Sequence, residues 1–142
     1  MTQARDIQVT LADVSRMDFR PSTGADQICG SLQRILDLPF RYQIARMAIG
    51  RSLSIPSAPP TPGDSAGRSI RGETLFGKEV SEQGLWIALL GQHAARNDLS
   101  KKELQELTAA HWCRGASTLD EQWKASGQEF GKFITRLVAN RR

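Results

Sequence analysis

Residues 41–54 constrain the fold of this chain most, because a helix over this stretch would be apolar on two neighbouring faces. At about 100° per residue, one face carries Phe40, Ile44, Met47 and Ala48, the next carries Ala45, Ile49 and Leu53, and a narrow polar strip remains at Gln43, Arg46 and Gly50. Such a helix has to be covered nearly all round. The pattern therefore predicts either the central helix of a monomeric core or a helix that buries its second face against another subunit.

The chain has the length of one domain and carries its positive charge unevenly. With 142 residues it can bury a core without disulfides or metal. The formal net charge is +4, and every basic residue before Lys78 is arginine. Because the planar guanidinium group binds two phosphate oxygens at once, such a region suits nucleic acid better than a lysine-rich surface would, although each arginine could equally be an ordinary surface charge. The candidate DNA-binding residues are Arg34, Arg41, Arg46, Arg51, Arg68 and Arg71.

The sequence predicts a cytoplasmic protein with reduced thiols. Cys29 and Cys113 are far apart, and the first residues lack the apolar core of a secretory leader. The longest apolar run, residues 85–90, is far shorter than a membrane span.

Helical periodicity dominates most of the chain. Helices are predicted over residues 25–37, 41–54 and 81–96, with Pro39 in the first turn of the second. Two capping boxes, at residues 100–103 and 118–121, predict the starts of two further helices, the last of them long and interrupted by small residues.

Two stretches depart from the helical pattern. Ile7, Val9 and Leu11 alternate with polar residues and predict a short extended N-terminal arm. Residues 55–72 are rich in proline, glycine and serine and predict a loop that is functional or mobile. The predicted fold class is therefore all-α, with a single compact domain of five or six helices over residues 1–142.

Three patterns resemble catalytic or metal sites, and each lacks a part that the chemistry requires. Residues 63–67 spell the Gly-x-Ser-x-Gly of a hydrolase elbow but follow prolines instead of a strand. Residues 72–78 nearly spell a phosphate-binding loop, but Glu79 stands where a magnesium ligand belongs. His93 and His111 lie on apolar stripes, and with the two cysteines they lack the paired spacing of a zinc site. We therefore expect no enzyme activity, no metal and no cofactor.

A ribbon-helix-helix repressor is one alternative, because a short N-terminal strand followed by two helices is the plan of that dimer. Gln8 and Thr10 would then face the bases of the major groove. Two features count against it: Asp6 would face phosphate, and more than half of the chain lies beyond the second helix.

Four segments resemble the DndE family, the small component of the bacterial system that replaces a non-bridging phosphate oxygen of DNA with sulfur. They are Leu-Gln-Arg-Ile-Leu at 32–36, Arg-Met-Ala with Ser-Leu at 46–48 and 52–53, Ile-Arg-Gly-Glu-Thr-Leu-Phe-Gly at 70–77, and Trp-Ile-Ala-Leu-Leu at 86–90. Two features depart from the family pattern. Leu38 stands where a polar cap usually precedes the proline, and residues 55–67 look longer than the usual connection.

The resemblance implies an all-helical, homotetrameric DNA-binding accessory protein that works beside a cysteine desulfurase, a sulfurtransferase-like subunit and an ATPase-like subunit. Oligomerisation would gather the arginines of several subunits on one surface, which favours salt-dependent, sequence-tolerant binding of double-stranded DNA. We also hypothesise a preference for nicked or distorted DNA, because inserting sulfur requires an opened phosphodiester. A protein-only interaction module of the modification complex is a second alternative.

Overall fold

The computed structural model describes residues 10–139 and contains, within that range, seven helices and one two-stranded sheet. In chain order the elements are α1 (Leu11–Arg16), β1 (Asp18–Phe19), α2 (Thr23–Ile35), α3 (Arg41–Leu53), β2 (Ile70–Arg71), α4 (Gly72–Leu75), α5 (Val80–Ala94), α6 (Lys101–Ala125) and α7 (Phe130–Ala139). The predicted, mostly helical fold is confirmed. It has more helices than predicted, and it also contains a small sheet that the sequence analysis did not predict. No helix in residues 10–139 is both long and apolar enough to span a membrane.

The central helix α3 is covered by its own chain. Ile44, Ala45, Ala48 and Ile49 are at most 1% exposed, and α3 packs mainly on α6, with further contacts to α2, α4 and α5. Of the two alternatives that the sequence left open, the structure shows the central core helix, because Ala45 and Ile49 of the second face are buried by the chain itself. Phe40, just before α3, is the exception and remains exposed.

The contact between α3 and α6 depends on a glycine. A Cβ on Gly115 would overlap the carbonyl oxygen of Ala48 and would lie 2.8 Å from its Cα atom. The two backbones therefore pass closer than any larger residue at this position would allow.

The predicted core histidines belong to a polar cluster that joins α3, α5 and α6. Arg114 Nε donates to Ser52 Oγ over 2.8 Å, which leaves the Ser52 hydroxyl free to donate to His111 Nδ1, also at 2.8 Å. The ring of His93 stands edge-on to that of His111, and its Nε2 atom donates to the carbonyl of Ile55 over 2.6 Å. Burial first, then the neighbouring His93 and Arg114, lowers the pKa of His111 to about 4.

The capping box predicted at residues 118–121 does not start a helix, because α6 runs through it without a break. Thr118 Oγ1 donates to the carbonyl of Arg114 one turn earlier, as it can inside a helix. Ala116 and Leu119 are buried, so packing holds this part of α6 in place. The real end comes after Ala125, where Gly127 and Gln128 adopt φ angles of 68° and 60° and α7 begins separately.

Several element ends also differ from the predictions. The helix α2 starts at Thr23 because Ser22 Oγ caps it by accepting from the Ala25 N–H group. Pro39 lies outside α3, whose N-cap is Phe40, and the Gln43 side chain accepts from the Phe40 N–H group over 3.1 Å. The helix α5 contributes Leu90 to the core, whereas Leu85 and Leu89 are exposed.

The predicted loop ends earlier than residue 72. Its last residues form β2, which pairs antiparallel with β1 through Asp18 with Arg71 and Phe19 with Ile70, and α4 then starts at Gly72. The remaining stretch is attached to the helices: Asp64 Oδ1 accepts from the Thr23 N–H group over 2.9 Å.

The predicted N-terminal arm lies mostly outside the described residues. Ile7, Gln8 and Val9 belong to the part that the structure does not describe, whereas Leu11 is already the first residue of α1. Thr10, proposed to read bases in a ribbon-helix-helix protein, instead caps α1 by accepting from the Asp13 N–H group over 3.2 Å.

Candidate nucleic-acid interface

Two of the six candidate arginines meet at a partly buried carboxylate on α2. Arg68 binds Asp26 in bidentate fashion, with Nε 2.9 Å from Oδ2 and Nη2 3.0 Å from Oδ1. Arg41 Nη2 lies 3.6 Å from the same Oδ1 atom and also donates to the carbonyl of Arg68. Burial alone would raise the pKa of Asp26, but hydrogen bonds from Arg68 and the charges of Arg68 and Arg41 hold that pKa below its ordinary value. The carboxylate therefore stays ionised and fixes both guanidinium groups.

Arg34, two turns after Asp26 on α2, lines the same depression as Asp26 and Arg68. A Cβ on Gly30 would lie 3.9 Å from both Arg34 Nη1 and Arg68 Nη2, so these two cations flank a bare stretch of helix. An open depression of about 380 Å³ lies there. We call Arg34, Arg41 and Arg68 with Asp26 the Asp26 cluster. Two guanidinium groups bind the Asp26 carboxylate and a third lines the same depression, so the cluster carries an excess of two positive charges, which anionic phosphate groups can neutralise.

Arg71 extends this basic surface across the small sheet. It is half exposed and lies 3.7 Å from Asp18, its partner on β1. Arg71 and Arg41 line a groove of about 460 Å³ between β2 and the start of α3. Arg34, Arg41, Arg68 and Arg71 thus share one side of the molecule.

The other two candidates serve different purposes. Arg46 donates to the carbonyls of Leu75 and Thr74 at the end of α4, and its guanidinium carbon lies 4.4 Å from the centre of the Tyr42 ring. Arg51 donates to Gln122 on α6, and three helical turns of α3 separate it from Arg41. The structure does not bring Arg51 to the other candidates.

Two residues of this part of the molecule were missed by the sequence reading. Asp26 organises the cluster, and its spacing from Gly30 and Arg34, four residues each, was a usable sign that all three share one helix face. Arg114 carries a charge inside the fold and holds the carbonyls of Ser52, Ile55 and Ser57. No local pattern indicates that role, because its partners are more than 50 residues away.

Metal-ligating side chains do not gather at this surface. Among residues 10–139 there is no group of three or more histidine, cysteine, aspartate or glutamate side chains that could hold a metal ion. Burial raises the pKa of the Cys29 thiol to about 11, so this cysteine is an inert core residue.

Comparison with known proteins assigns the chain to a family. No curated protein that was searched matches it. The model of the family described as DNA sulphur modification protein DndE matches residues 19–126, which run from the end of β1 to just past α6 and include all six candidate arginines. Because this match covers well over half of the 142 residues, the chain belongs to the DndE family of DNA sulphur modification proteins.

Proposed function

We propose that this chain is a non-catalytic accessory protein of the DNA sulfur modification system and that it binds duplex DNA. Membership of the DndE family implies a role in that system. The observation that carries the DNA-binding part is the gathering of Arg34, Arg41, Arg68 and Arg71 on one side, with Asp26 holding two of them in fixed orientations.

Phosphate is the ligand that this surface suits best. A fixed guanidinium group with free N–H donors binds phosphate oxygens at little further entropic cost. Guanidinium groups held by Asp26 and Asp18 suit the phosphate backbone, so the contacts should fall on the backbone and tolerate any sequence. Four neutralised phosphates would give a slope of roughly −3 to −4 when log K is plotted against log salt concentration.

Assembly into a homotetramer is part of the proposal, because four arginines in one subunit give only weak binding on their own. The homotetramer is supported by apolar side chains that the single chain leaves exposed, and not by α3, which is buried. Leu85 and Leu89 lie one turn apart on α5, and Phe130, Ile134 and Val138 follow each other one turn apart along α7. Light scattering at several protein concentrations measures the subunit number directly.

Charge reversal of two exposed arginines tests the DNA-binding proposal. Arg34→Glu and Arg71→Glu should each weaken binding to duplex DNA by about tenfold or more and make the salt slope shallower by one to two units. The matched control is Arg136→Glu on α7, which changes the net charge equally but lies away from the Asp26 cluster. If all three variants bind alike, the arginine surface is not the interface.

A preference for nicked DNA is a finer part of the same proposal. Its support is chemical, since one route to replacing a phosphate oxygen with sulfur passes through an opened phosphodiester. Gel shifts with intact and nicked duplexes of one sequence test it, and equal affinity would remove the preference while leaving duplex binding in place.

The second candidate function is a protein-only interaction module for the ATPase-like, sulfurtransferase-like or cysteine desulfurase component. The exposed apolar side chains of α5 and α7 favour it, because such faces commonly meet other proteins. A protein that ignores DNA at low salt, yet binds one of these components through Leu85 or Ile134, would support the module over the DNA-binding proposal.

A further inference from the structure

An exposed aromatic ring stands at the start of α3, beside the basic surface. Phe40 is 56% exposed, although it is a large apolar residue. Its ring stacks on that of Tyr42, with ring centres 5.7 Å apart and planes inclined by 13°. The Gln43 side chain holds the Phe40 N–H group, so the backbone that carries this ring is fixed. One parallel stack is therefore already formed, and its outer ring is open to solvent.

Phe40 borders the groove that Arg41 and Arg71 line. None of the residues that the structure places around this groove is acidic. Arg41 is paired with Asp26 at 3.6 Å, and Arg71 is paired with Asp18 at 3.7 Å. The groove therefore combines a free aromatic face with positive charge, in a volume of about 460 Å³ that suits a small organic group.

A ligand that fits both features has to be flat, aromatic and anionic. A nucleotide of DNA has these properties only when its base is unpaired, because a paired base keeps both faces stacked inside the duplex. Aromatic side chains next to arginines are the usual way in which proteins hold unpaired bases without regard to sequence. An apolar peptide would use Phe40 but would offer no anionic group to the two arginines.

We propose that this groove binds one unpaired nucleotide of the DNA, with its base stacked on Phe40 and its phosphate on Arg71. The inference rests on the proposed function and adds a base-stacking site to the phosphate contacts of the Asp26 cluster. It makes Phe40 a residue that selects for locally opened DNA, whereas the arginines bind any duplex.

Fluorescence anisotropy with two labelled duplexes tests this site. One duplex is fully paired, and the other has the same sequence with a single unpaired 2-aminopurine bulge. The native protein should bind the bulged duplex roughly five- to a hundredfold more tightly, the range expected for stacking one base on an aromatic ring, and it should quench the 2-aminopurine fluorescence. Phe40→Ala should remove both effects and leave binding of the paired duplex unchanged, whereas Phe40→Trp should keep them.

The matched control is Val80→Ala at the start of α5, which removes an apolar side chain that is 66% exposed and does not line the groove. Equal affinity of the native protein for both duplexes would overturn the inference and leave the proposed function standing. Absence of binding to the paired duplex at low salt would instead contradict the proposed function. If Phe40→Ala changes the subunit number and weakens both complexes alike, Phe40 is a subunit contact and the stacking site is refuted.

Discussion

Gly115 is the position where one added methyl group should cost most, because α3 and α6 cross there. A Cβ on Gly115 would overlap the Ala48 carbonyl and lie 2.8 Å from the Ala48 Cα atom, whereas ordinary contacts begin at 3.4 Å. Both obstructing atoms belong to the backbone, so no side-chain rotation can relieve them. The two helices would have to move apart by more than half an ångström along most of the core.

The magnitude follows from two opposing effects. Replacing glycine by alanine inside a helix ordinarily adds about 1 kcal/mol to the free energy of unfolding. Overpacking a core costs about 1–3 kcal/mol and sometimes more, and fixed backbone atoms place Gly115→Ala at or above the upper end. We expect a net loss of about 2 kcal/mol, which lowers Tm by roughly 8 °C in a domain of this size.

Urea unfolding followed by circular dichroism measures this loss. The matched control is Gly50→Ala on α3, where nothing lies within 4 Å of the new methyl group. This variant should unfold at a higher urea concentration than the native protein, by up to about 1 kcal/mol. If Gly115→Ala proves as stable as Gly50→Ala, the close approach of α3 and α6 is not real.

Three further predictions concern groups inside the fold. The pKa of His111 is about 4 in the folded chain and ordinarily 6.5. The free energy of unfolding should therefore be highest above pH 6.5 and fall by roughly 3 kcal/mol towards pH 4. Urea titrations of His111→Gln should show little of that fall, and a fall as large as in the native protein would refute the lowered pKa of His111. The lowered pKa of Asp26 stabilises the fold above the ordinary pKa of 3.8, and this stabilisation is lost as the pH falls through the lower folded-state pKa. Asp26→Asn should therefore lower the free energy of unfolding by about 1 kcal/mol at neutral pH and by almost nothing in strong acid. Thermal unfolding should show a loss of about 1 kcal/mol for Ser100→Ala, which removes a real cap, and less than about half of that for Thr118→Ala, with equal losses counting against a continuous α6.

Sequence reasoning succeeded where a short stretch determines its own structure. The cap at Ser100 and the periodic stripes of α2 and α3 need only residues within a few turns of each other. The same local view failed at Thr118, because a capping box has the same composition whether the residues before it are helical or not. Ala116 and Leu119 are buried there, and α6 packs on elements that are distant in the sequence, above all on α3.

The candidate site depended still more on distant partners. The sequence nominated four arginines that the structure places on one side, but it did not show what holds them there. Asp26 meets Arg68 across 42 residues, and Asp18 pairs with Arg71 through a sheet of two residues per strand. Strands so short carry no alternation that could predict them. The covering of α3 was equally beyond the sequence, since periodicity shows that a face must be buried and not which chain buries it.

The proline-rich stretch is attached at both of its ends, at Ser57 by Arg114 and at Asp64 by the start of α2. The residues between these attachments are mostly exposed, and neither attachment depends on how many of them there are. Because the entropy of closing a loop grows only slowly with its length, residues 58–63 can accept an inserted epitope or a fluorophore-bearing cysteine. Labelled protein made in this way would keep its arginine surface and allow its arrival on DNA to be followed one molecule at a time.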